Sequence, residues 1–115
     1  MTLAIFVNEK ACKSEGERED YIAQAAVLST IKMADNEDKR LYNMWAYQPH
    51  SCDIFGCRSK EAFDRIVNKV EDLGLNFYSL NKSNDDSLAV IAVPFVPDEI
   101  LWKLTDGAMT RKVSD

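Results

Sequence analysis

The chain has 115 residues, 46% hydrophobic and 29% charged, which is the composition of one globular domain and is too short for two. Asp and Glu outnumber Lys and Arg by 19 to 14, and the net charge of -5 opposes nonspecific attraction to nucleic acid phosphates. No apolar run approaches the roughly 18 to 20 residues that cross a bilayer, and the opening MTLAIFVNEK lacks a basic n-region and a cleavage signal, so a cytoplasmic protein without membrane contact is expected.

Leu3 to Val7 is a nearly continuous apolar run of strand-favouring residues, which reads as a central strand buried on both faces. The charged stretch Ala11 to Asp20 reads as a loop, after which Tyr21, Ala25, Leu28 and Lys32 fall on helical spacing beside Ile22, Ala26, Ser29 and Met33. Asp35-Asn36 offers a cap for a short second helix in which Leu41, Met44 and Trp45 share a face, and Pro49 stops it. His50 to Cys57 suits a second strand. Ser59 then caps a helix over Lys60 to Leu73, with Ala62, Phe63, Ile66, Val67, Val70 and Leu73 in one stripe and Gly74 at a left-handed C-terminal cap. Leu75 to Leu80 and Leu88 to Val93 read as an antiparallel hairpin around Asn81 to Ser87, with Pro94 ending the last strand. Pro97 opens a final helix carrying Ile100, Leu101 and Leu104. Strands alternating with helices predict a single three-layer α/β domain, a four-stranded mixed sheet with helices on both faces, over residues 1–109, followed by a frayed C-terminal tail, 110–115.

Cys12, Cys52 and Cys57 are odd in number and form no CxxC pair, which predicts reduced thiols, with a Cys52 to Cys57 disulfide as the rarer alternative. His50 is the only histidine, so catalytic sets that need a second histidine and multi-histidine metal sites are excluded, and no metal or cofactor is expected. Trp45 and Tyr47 have faces on which a base could stack, but the spacing of Trp45 with Leu41 favours core packing. Trp102 lies off the stripe of the last helix, where it marks either a partner surface or the rim of the core.

Four segments together resemble the type 2 peptidyl-tRNA hydrolases. They are LAIFV followed by IAQAA at Ile22 to Ala26, SKEAFDRIVNKVEDLGLNF at Ser59 to Phe77, AVIAVPFVPDEI at Ala89 to Ile100, and KLTDGAM at Lys103 to Met109. They are similar, in order, to the family's first strand and Ala-Ala-Gln helix start, its Ser-Glu-Glu-Leu helix ending in Gly-Leu-Pro, its last strand with the Gly-Pro corner and final helix, and its closing Leu-Thr-Gly-x-Leu. The resemblance implies that fold, hydrolysis of the ester between a peptide and tRNA, and tRNA or another small ligand in the family pocket. Family members often form dimers, which implies a homodimer here.

The departures fall where the family does its chemistry. Aligned back from Gln24, the family's loop lysine is Asp20, the histidine three residues after the glutamine is Val27, and the Asp-Ala-Gly-(Arg/Lys)-Thr loop is the shorter NKSNDDS. Asn81 or Lys82 stands nearest the catalytic aspartate, and only Gln24 matches a site position directly. The resemblance thus implies ligand contacts from Gln24, Asn81, Lys82, Asp86 and Ser87. Lys10, Lys13 and Arg18 are the loop cations available to stabilise an oxyanion in place of the lysine, Arg18 the nearest, and Asp85 or Asp86 the acids available to orient water. Against these roles, Arg18 reads first as an exposed charge in EGERED and NDDS first as turn chemistry. Three functions follow: a binding or regulatory protein with a degenerate hydrolase site, an active hydrolase whose site is rearranged around Lys13 or Arg18, and a protein interaction module using Trp102.

Overall fold

A strand whose consecutive residues are all apolar points side chains to both sides and is stable only between two layers. In the computed structural model, which describes residues 2–36, 39, 43, 51–81, 88–105 and 110–112, strand β1 (Thr2–Asn8) is that element. The sheet continues with β2 (Ser51–Cys57), β3 (Tyr78–Asn81), β4 (Leu88–Val96) and β5 (Thr110–Lys112), in the order β3-β4-β1-β2-β5. β1 runs parallel to β2 and antiparallel to β4, and the β3-β4 and β2-β5 pairs are antiparallel, so the sheet is mixed.

Helix α1 (Glu15–Asn36) covers one face, packing Tyr21 and Ala25 on Leu3, Ile5, Val7, Val90 and Ala92. Helices α2 (Lys60–Asp72) and α3 (Asp98–Thr105) cover the other, packing Phe63, Ile66, Val70 and Leu104 on Ala4, Phe6, Phe55, Ile91 and Val93. Phe6 and Phe55, register partners on β1 and β2, stack with ring centroids 5.2 Å apart. The layered α/β architecture expected from the alternation of elements is therefore present.

Several boundaries differ from the sequence expectation, each for a local reason. Ala11 to Asp20 is not a loop: after a 3-10 turn at Glu9–Ala11, α1 begins at Glu15. Ser14 caps it, its Oγ accepting from the Glu17 N–H at 3.2 Å and its carbonyl from the Arg18 N–H. The cap signal Ser-x-x-Glu is present in the sequence, but no apolar residue precedes Tyr21 to give the segment a helical stripe. Asp35 and Asn36 belong to α1 instead of starting a new helix. The second helix expected after them lies, but for single positions, outside the described residues.

β3 starts at Tyr78, not Leu75. β4 runs through Pro94 to Val96, because Thr2 pairs with Val96 while Ala4 pairs with Val93, and the extra β4 residue is absorbed in a bulge where proline's missing N–H is tolerated. The bulge also turns Val96 to the same core as Val93. Thr110–Lys112, expected in the frayed tail, pairs with Phe55 to Cys57 as a short edge strand, which adds a fifth strand to the expected four-stranded mixed sheet β3-β4-β1-β2.

The end of α2 is a Schellman motif. Gly74, at φ 69°, donates its N–H to the Glu71 carbonyl, and Leu75 donates to the Val70 carbonyl while its side chain packs on the core. In urea unfolding, Ile66→Ala should lose about 2 to 5 kcal/mol, since Ile66 is 2% exposed. Gly74→Ala should lose about 1 to 2 kcal/mol through left-handed strain alone, because no atom obstructs the added methyl. A loss below about 1 kcal/mol for Ile66→Ala would contradict the layered packing.

Candidate functional site

β1 ends at Asn8, whose Oδ1 accepts from the Lys10 N–H and shapes the 3-10 turn that carries Glu9 back toward the start of α1. The result is a polar cleft of about 230 Å³ lined by Glu9, Cys12, Lys13, Ser14, Glu15 and Arg18. Arg18 Nη1 lies 3.5 Å from Glu9 Oε1, and with side chains 21% and 20% exposed the pair is mostly removed from solvent. The Arg18 Nε–H is buried and has no hydrogen-bond partner among the described residues, so the guanidinium is held by its end and not by its full fork of donors. Two carboxylates, Glu9 and Glu15, face two cations, Lys13 and Arg18, and the cleft carries no net charge. Ser14 is occupied as a helix cap, and the Cys12 thiol donates to the Asn8 carbonyl at 3.6 Å.

The remaining candidates divide between other places. Asp20 is exposed and stands two residues beyond Arg18 on α1, about 200° round the helix, so it faces away from the cleft that Lys13 and Arg18 share. Gln24, one turn after Asp20, lines a separate apolar groove of about 450 Å³ with Ala23, Val27, Leu28, Ile31 and Leu80. Asn81 is exposed at the end of β3, next in sequence to Leu80 of that groove. Lys82, Asp85, Asp86 and Ser87, with Trp45, Tyr47 and His50, lie outside the described residues. Six placed candidates, counting Trp102, thus fall into three groups: Lys13 and Arg18 together, Asp20, Gln24 and Asn81 on the groove side, and Trp102 on α3.

Trp102 is 76% exposed and borders a hollow with Phe55, Leu101 and Thr105. Sequence reasoning missed Glu9, because nothing in its spacing to Arg18 announces a contact between a 3-10 turn and a helix. It also missed the exposure of Val27 and Ile31, which are apolar positions on the outer arc of α1. Among the described residues no three His, Cys, Asp or Glu side chains converge as a metal site, and no helix is long and apolar enough to cross a membrane.

None of the three cysteines is in a disulfide. Cys52 and Cys57 sit five residues apart on one strand, roughly 16 Å at strand rise, well beyond disulfide reach. Cys52 is exposed as a residue, but partial withdrawal of its thiol from water, and secondarily the Asp53 carboxylate, raise its pKa above the ordinary 9.0. A raised pKa means less thiolate at a given pH, so Cys52 should alkylate more slowly than a free cysteine peptide at neutral pH and accelerate as pH climbs. Asp53→Asn should speed it, and Cys57, fully buried, should react only on unfolding. Rapid labelling of Cys57 in the native protein would contradict this arrangement. No protein-family model matches the chain, and no curated protein matches it.

Proposed function

We propose that the chain is a cytoplasmic binding or regulatory protein that resembles type 2 peptidyl-tRNA hydrolases and lacks their hydrolase chemistry. The observation that carries this reading is the Glu9-Arg18 pair. Ester hydrolysis at a tRNA ribose needs a positioned water and a donor preorganised for the developing oxyanion. Arg18, the cation best placed to replace the missing lysine, already faces a carboxylate, and Asp20, at the lysine's aligned position, projects from another side of α1. Loss of one oxyanion donor lowers kcat about 10² to 10³-fold, and a fixed carboxylate beside the remaining cation deepens that loss. The cleft's charge balance and the net charge of -5 also disfavour RNA phosphate.

Peptide release from a purified peptidyl-tRNA tests the reading. The expected rate in the presence of the protein is indistinguishable from the spontaneous rate, and Glu9→Gln or Asp20→Lys should leave it at least about 10²-fold below an ordinary enzyme. Turnover at ordinary enzyme rates that Arg18→Ala or Lys13→Ala abolishes would replace the binding protein with a hydrolase whose site is rearranged.

A further inference from the structure

The outer face of α1 carries an apolar ridge that the rest of the described protein leaves open. Val27 is 60% and Ile31 55% exposed, two of the four exposed large hydrophobic residues among those described. The ridge stands between two hollows, the 450 Å³ groove closed on its far side by Leu80 and a 290 Å³ hollow bordered by Ala26 and Thr30. A ridge of residues four apart with a groove on either flank is the shape against which a second helix packs.

The charges at its ends select the occupant. Asp20 lies seven residues before Val27, and Asp35 four residues after Ile31, so both exposed carboxylates continue the same line of the helix. They stand about 22 Å apart along its axis, with no cation on that line between them; Lys32 projects from about 100° round the helix from Ile31. A second copy of the chain fits poorly. Antiparallel pairing of two such faces sets Asp20 beside Asp35, and parallel pairing sets each acid beside itself, so like charges meet in either register.

We propose that this face docks an amphipathic helix of a protein partner, apolar at its centre and carrying Lys or Arg at both ends. The chain's net charge of -5 would draw such a segment in and orient it. The proposal rests on the binding-protein reading and names its partner class.

The test uses two synthetic amphipathic helical peptides with the same leucine face, one flanked by lysines and the other by glutamates, titrated against the full chain by fluorescence anisotropy. The lysine peptide should bind about ten-fold or more tightly than the glutamate peptide, and its affinity should fall with added salt. Val27→Ser with Ile31→Ser, both at exposed positions that the fold does not need, should abolish binding; Asp20→Asn with Asp35→Asn should remove the preference between the peptides. Equal binding of the two peptides, binding of neither, or self-association of the wild-type chain that the Val27→Ser and Ile31→Ser pair dissolves would each overturn the proposal. Peptide failure with peptidyl-tRNA still uncleaved removes only the partner assignment, whereas turnover of peptidyl-tRNA removes the binding-protein reading whatever the peptides do.

Discussion

Leu3, Ile5, Phe6 and Val7 bury their side chains on both faces of β1, and full burial of each such side chain contributes about 1.5 to 3 kcal/mol. One strand therefore demands two covering layers. α1 supplies the first, and α2 with α3 the second. The same demand fixes neighbours, since β1 needs β2 and β4 alongside it to satisfy its backbone donors and acceptors. Where β1 ends, Asn8 turns the chain, and this turn delivers Glu9 to Arg18. The polar cleft is thus a direct consequence of how the central strand is terminated and how soon α1 must begin to cover it.

Most of the scaffold is legible from local patterns because the patterns are redundant. Lys60 to Gly74 combines a capping serine, a continuous apolar stripe and a glycine that adopts φ 69°, and all three signals agree. The differences arise where one signal acts alone. Glu15 to Asp20 has a cap but no stripe, so its helix is hidden; Pro94 reads as a stop because a bulge, a property of strand pairing, does not show in the strand's own sequence. Thr110–Lys112 joins the sheet only through its partner Phe55 to Cys57. The candidate site is less legible for the same reason: Glu9 and Arg18 meet across a turn and a helix start, and no periodicity connects them.

α1 separates two chemical environments. Its first turns close a charge-balanced cleft against the end of β1, while its outer arc presents the Val27-Ile31 ridge between Asp20 and Asp35. Ion pairing and apolar exposure have opposite consequences for function. A mostly buried Glu-Arg contact withholds its cation from a ligand, whereas an open ridge with hollows on both sides offers surface that a partner gains by covering. The proposed binding role, located away from the polar cleft, rests on that contrast.

Titration of the isotope-labelled protein with a tRNA acceptor-stem hairpin, followed residue by residue through its amide and arginine side-chain NMR signals, tests most directly whether the Glu9-Arg18 pair withholds the cleft from RNA. The signals of Glu9, Lys13 and Arg18 should stay in place at low ionic strength, where any phosphate attraction is strongest. Saturable shifts centred on those three residues, lost in Arg18→Gln, would show that the cleft receives RNA and would contradict the account.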